Sequence, residues 1–147
     1  MNVFHYCPAS YVPDILASGA LRPSSEGARA RERAALWFTS SPTYDPTALK
    51  MWGQGGTLRR LTLAEQEARV GLARFAVDEA VAPLTWGEWT RTSGVRGAEV
   101  KRMARLAARL GSDVSLYRAT YEAVPAADWA AVEVWRGGGW VPHPARV

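Results

Sequence analysis

Apolar and polar residues change places in short blocks along the chain, and the spacing within each block predicts its element. Residues 3–6, Val-Phe-His-Tyr, read as a first strand. A Pro8-Ala9-Ser10 turn follows, in which Ser10 can cap a helix that tolerates Pro13 in its first turn. Tyr11, Ile15 and the neighbouring Val12 and Leu16 give that helix, over 12–18, an apolar face, and Gly19 stands at its C-terminal stop. Residues 20–23 leave in extended form, because the residue before Pro23 avoids helical geometry. Residues 24–35 carry little apolar bulk and predict an exposed loop or a marginal helix. Residues 36–39, Leu-Trp-Phe-Thr, read as a second strand ending in Ser40-Ser41-Pro42. Asp45-Pro46 then opens a helix through 51 or 52, which Gly53-Gln54-Gly55-Gly56 ends.

In the second half, Thr62 with Glu65 matches a capping box and predicts a short helical turn. Residues 70–77 read as a strand with Ala73, Phe75 and Val77 on one face, while 83–89 fits either element, Trp86 and Trp89 lying three apart as on a helix. The pattern over 98–110 is helical: Met103, Leu106, Ala107 and Leu110 form one stripe, and Lys101, Arg102, Arg105 and Arg109 the other. Over 115–124 a strand alternates Tyr117, Ala119, Tyr121 and Ala123 with Leu116, Arg118, Thr120, Glu122 and Val124. A turn at 125–128 leads to a hairpin of 130–135 and 139–141 around Arg136-Gly137-Gly138. No internal repeat is visible. Helices cluster early and strands late, which predicts one α+β domain over 1–147 with a mainly antiparallel sheet rather than a doubly wound parallel one.

Composition narrows the class. Of 147 residues, 48% are hydrophobic and 22% charged, the balance of a globular domain, and no apolar run approaches the ~20 residues that cross a bilayer. The first five residues carry neither a basic flank nor a long apolar run, so no secretory signal is expected. Cys7 is the only cysteine, which excludes an internal disulfide and a multi-cysteine zinc site and predicts a reducing, cytoplasmic setting. The net charge is +4, and Lys50 and Lys101 are the only lysines, so the other sixteen of the 18 cations are arginines. That surplus permits an anionic partner without requiring one. The seven tryptophans are expected mostly in the core, with one or two lining a pocket.

For chemistry, the sequence has no Gly-x-Gly-x-x-Gly, no phosphate-binding Walker loop and no Gly-x-Ser-x-Gly elbow. His5 and His143, at opposite ends, are the only histidines and support no metal site. The informative feature is the order of pieces in "FHYCPASYVPDILASGALRP" and "ALWFTSSP". These stretches, about a quarter of the chain, resemble the ADP-ribosyltransferase-like superfamily, including its small DNA-targeting toxins and its RNA 2'-phosphotransferases. That resemblance implies an antiparallel split sheet with flanking helices, NAD as co-substrate, and transfer of ADP-ribose to a macromolecule, protein or nucleic acid, as in a toxin or a phage–host conflict protein.

On that resemblance His5 positions the ribose, and Tyr6, Arg22, Trp37, Thr39, Ser40 and Tyr44 bind NAD. Arg22 would meet the pyrophosphate, Thr39 and Ser40 the ribose or phosphates, and Trp37 or Tyr44 the nicotinamide ring. The family glutamate, which stabilises an oxocarbenium-like transition state, falls to Glu122 or, failing it, Glu133. Cys7 stands where the family has a hydroxyl residue, and Glu122 sits late in its expected strand. Two alternatives stay open: a non-catalytic nucleotide- or nucleic-acid-binding module on the same fold, and a phosphotransferase variant that uses Arg118 in place of the glutamate. The Lys101, Arg102, Arg105 and Arg109 face is either a solvated helix face or a contact for a nucleic-acid backbone.

Overall fold

The backbone of the computed structural model is described for residues 1–25 and 28–146, and Glu26 and Gly27 of the expected 24–35 loop lie outside them. Period-2 alternation and β-branched or aromatic residues place β1 (Asn2–Cys7), β3 (Leu36–Thr39), β6 (Ala73–Asp78), β8 (Tyr117–Thr120), β10 (Trp129–Arg136) and β11 (Gly139–Pro142), in that chain order, in one sheet. With the short edge strand β7 (Leu84–Thr85) the sheet has seven strands, ordered β11-β10-β6-β1-β3-β8-β7, and each neighbouring pair is antiparallel. Two further pairs lie outside it: β2 (Ala20–Leu21) with β9 (Val124–Pro125), and β4 (Met51–Gln54) with β5 (Thr57–Arg60). The helices are α1 (Val12–Ser18), α2 (Leu63–Arg69), α3 (Trp86–Thr92) and α4 (Gly97–Arg109). No helix among the described residues is long and apolar enough to cross a membrane.

The α+β class and the antiparallel sheet agree with the sequence pattern, but the chain order does not: the central strand comes first, and α3 and α4 follow four strands of the main sheet. The core lies where β1, β3, β6 and β10 meet, with Val3, Phe38, Phe75, Val77 and Val132 almost fully buried and the Trp129 ring edge-on to Phe75 at 4.9 Å. Burying Phe75 alone contributes about 2–3 kcal/mol. Trp89 and Trp129 are the fully buried tryptophans; the other five keep some exposure, and Trp52 stands out on the β4–β5 ribbon.

One seam in this sheet matters for function. β1 pairs with β6 along its whole length, from Asn2 opposite Asp78 to Cys7 opposite Ala73, yet it pairs with β3 only at Phe4 opposite Thr39. The sheet is therefore continuous but nearly divided between its β6 side and its β8 side.

Three expected elements differ. The helix over 45–52 is instead a 3-10 turn, Pro46–Ala48, followed by the β4–β5 hairpin. Gly55 and Gly56 take φ of 62° and 82°, the two left-handed positions of a tight hairpin turn, so the glycine run joins strands rather than ending a helix. The 115–124 strand is cut to β8, because a 3-10 turn occupies Val114–Leu116 and the chain bends at 121–122. The 70–77 strand starts only at Ala73, after α2 and a glycine turn. The ambiguous 83–89 segment resolves as β7 followed by α3, which a Thr85–Glu88 capping box starts.

Loop 28–35 is tied to the end of α3 by the Arg33 amide, which donates to the Ser93 carbonyl at 2.8 Å. Gly94 has φ of 80°, and a Cβ there would fall on the Arg31 carbonyl oxygen. Gly94→Ala should therefore cost about 2–4 kcal/mol from backbone strain and overlap, measured by urea unfolding. A change within experimental error would show that the loop can move aside freely.

Candidate functional site

The cleft opens at the β1–β3 seam. The carbonyl of Trp37 accepts a hydrogen bond from His5 Nδ1 at 2.8 Å, a side-chain bridge beside the point where the backbone ladder stops. A carbonyl only accepts, so Nδ1 carries the proton and the acceptor lone pair of the neutral ring sits on Nε2. Burial lowers the His5 pKa below its ordinary 6.5, and the bond to Trp37 opposes this only partly. The ring meets Phe38 edge-on at 5.9 Å.

Two lobes share His5, Tyr6, Trp37, Thr47 and Ala48 as lining. The smaller, of about 310 Å³, is largely apolar: Phe4, Phe38 and Trp86 line it, with Met103, Leu106 and Ala107 from the apolar stripe of α4. Its polar lining includes Thr39, Asp45, Thr47 and Tyr117. The larger, of about 940 Å³, runs past Tyr11, Asp14 and Arg22 to Lys50 and Met51. Trp37 holds the aromatic side of the small lobe in place, with its ring 5.6 Å from Trp86, 4.8 Å from Trp89 and 6.2 Å from Tyr117.

Asp45 is almost fully buried and richly bonded. Its carboxylate accepts from the Thr47 amide at 2.9 Å, Thr47 Oγ1 at 2.6 Å, Ser112 Oγ at 2.6 Å and the Tyr117 hydroxyl at 3.3 Å. A buried carboxylate needs that many donors to offset its lost hydration. Burial, first of all, pushes the Tyr6 phenol up to about 12 despite nearby Arg74, and raises Tyr117 as well. Both phenols therefore stay protonated donors at neutral pH. Burial likewise pushes the Cys7 thiol up to about 12, so it is not a thiolate under those conditions.

The expected site residues fall into groups. His5, Tyr6 and Trp37 line both lobes. Thr39 lines the small lobe, but its hydroxyl accepts from the Ser41 amide at 3.2 Å and the residue is 5% exposed. Arg22 lines the large lobe and is exposed. Ser40, Tyr44 and Glu122 line neither lobe. Both the Ser40 amide and its hydroxyl donate to the Leu116 carbonyl, at 3.0 and 3.4 Å. Glu122 is exposed in the bend after β8, with its amide donating to Thr120 Oγ1. Glu133 pairs with Arg74 at 2.6 Å, and Arg118 Nε donates to the Ala82 carbonyl at 3.1 Å. The four basic residues of α4 are exposed, and Arg102 is paired with Glu99.

Sequence reasoning missed Asp45, Thr47, Trp86 and Tyr117 as cleft residues. Asp45-Pro46 was legible as a cap, which it is, since Asp45 accepts from the Thr47 amide. Nothing local indicates that the same carboxylate reaches Ser112 and Tyr117 across some 70 positions. No family model, no curated protein and no solved structure matches the chain.

The neutral His5 ring gives a pH signature. Its folded pKa lies below the unfolded value of 6.5, so its contribution to stability is full above 6.5 and is lost as pH falls through the folded pKa. The melting temperature should fall on acidification from about pH 7.5 to about pH 5, and His5→Gln should flatten that fall. Parallel profiles for the two proteins would contradict a half-buried neutral imidazole.

Proposed function

We propose that the cleft binds a nucleotide of the NAD class across both lobes, oriented about His5. The observation that carries this reading is the meeting of a small aromatic lobe and a wider lobe that includes Arg22 and Lys50 at one neutral imidazole. A dinucleotide has the same division, a flat ring joined through ribose to charged phosphates. Trp37, Trp86 and Tyr117 offer ring surface to a base or a nicotinamide. Nε2 of His5 accepts from a ribose hydroxyl, while Arg22 and Lys50 meet the phosphates in the large lobe. The resemblance of the first forty residues to the ADP-ribosyltransferase-like superfamily supports the same ligand. Among the described lining residues there is no glutamate, which favours binding over cleavage.

A second reading, transfer of ADP-ribose to a macromolecule, is favoured by one observation: the Asp45 carboxylate lines the same lobe as His5. In that reaction the bond from the ribose anomeric carbon to nicotinamide breaks, and nicotinamide leaves with the electron pair. The acceptor nucleophile then bonds to that carbon and gives up its proton. Positive charge on the sugar is stabilised by a nearby carboxylate, here Asp45 rather than Glu122.

Calorimetry with NAD and ADP-ribose separates these outcomes. Binding of either is expected, weakened about tenfold, or about 1.4 kcal/mol, in His5→Ala and unchanged in Glu122→Ala. No heat with either ligand would sink the nucleotide reading. Free nicotinamide that appears with a macromolecular mixture, survives Glu122→Ala and vanishes in Asp45→Asn would establish transfer; its absence would leave binding alone.

A further inference from the structure

The segment 40–50 supplies one wall of the cleft through Asp45 and 47–50, with 40–44 leading into it from β3, and its one regular piece is the 3-10 turn Pro46–Ala48. Several of its carbonyls are held by side-chain donors. The Tyr6 hydroxyl donates to Ser41, Arg74 Nη1 to Pro42, and Trp140 Nε1 to Thr43 at 2.7 Å. Further on, Arg60 Nη1 donates to Thr47 at 3.1 Å and to Leu49 at 2.6 Å.

The bonds to Pro42 and Thr43 are the informative ones, because both residues are exposed. Water would satisfy their carbonyls at little cost, so these donors do not rescue buried groups; they fix where the chain runs. The donors are themselves immobilised. The Arg74 guanidinium lies 4.4 Å from both the Phe4 and the Trp140 ring centres, with Nε on Glu133. The Trp140 ring also packs against Trp135 at 5.3 Å and Tyr6 at 5.7 Å. Donors preset in this way order a loop with little further loss of side-chain entropy.

We propose that Arg74 and Trp140 are positioning residues for the cleft: they set the wall from which Asp45, Thr47 and Ala48 face the ligand, without touching the ligand themselves. The wall's order is a claim about the free protein, and only its effect on affinity rests on the nucleotide reading.

Trp140→Phe tests this, since it keeps an aromatic ring beside Arg74 and removes the indole donor. In ligand-free protein, hydrogen exchange at the Ala48 and Leu49 amides, bonded to the Asp45 and Pro46 carbonyls, should quicken about tenfold. The Phe75 and Val77 amides of β6 should keep their protection, and NAD affinity should fall several-fold. Arg74→Lys, which keeps a cation beside Glu133, should give the same pattern if the first variant folds poorly. Unchanged exchange at 48 and 49, or a loss matched in β6, would overturn the proposal. So would faster exchange with unaltered affinity in a protein that binds NAD. If the unmodified protein binds no nucleotide, the cleft reading fails, while quickened exchange confined to 48 and 49 still supports the wall.

Discussion

The cleft depends on a ladder that stops after one pair. In an antiparallel sheet two adjacent strands ordinarily exchange hydrogen bonds along their common length, and a break leaves backbone groups that must find other partners. Here β1 and β3 meet at Phe4 and Thr39, and the Trp37 carbonyl is taken by the imidazole of His5. A side chain thus does the work of a strand neighbour. The same bond fixes the tautomer, and burial keeps the ring neutral. Structural and chemical roles of His5 are therefore not rivals: closing the seam through Nδ1 is what leaves the lone pair on Nε2.

Opening a seam in a sheet removes order that something else must restore. On the β1 side, six-residue pairing with β6 and the buried Phe75, Val77 and Trp129 hold the strand firmly. On the β3 side the strand is short, and it relies on β8 and on the Trp37, Trp86 and Trp89 cluster. Between them runs the 40–50 wall, whose only regular piece is the 3-10 turn that Pro46 begins. Side-chain donors from β1, β5, β6 and β11 replace the missing ladder there. Aromatic residues serve this well, because a large ring loses little conformational freedom on packing and still carries a donor at its tip.

These features explain what the sequence disclosed. Strands β1, β3 and β10, the terminal hairpin and α4 carry strong local periodicity, and each lies within a residue or so of its expected place. The wall does not. It has no period, and its meaning rests on partners such as Trp140, 97 positions away from Thr43. The glycine run at 53–56 was misread because glycine serves both as a helix stop and as a hairpin turn, and only two consecutive left-handed positions separate the roles. Glu122 looked like a strand residue by alternation. The chain bends after Thr120, whose hydroxyl accepts from the Glu122 amide, a local bond that competes with the ladder. Of the expected site residues, His5, Tyr6, Trp37 and Thr39 on β1 and β3, together with Arg22, line the cleft, whereas Ser40, Tyr44 and Glu122 do not.

The division of the cleft also bears on what kind of ligand it suits. A purely apolar compound would fill the small lobe and leave the exposed Arg22 and Lys50 side of the large lobe without purpose. A simple phosphate would use the cations and ignore Trp37 and Trp86. The proposed nucleotide, flat at one end and anionic at the other, would engage both lobes at once. His5 stands at the junction of the two lobes. Because Trp37 both accepts from His5 and anchors the aromatic cluster, the two lobes share one rigid element, so a change that tilts the ring wall also moves the imidazole.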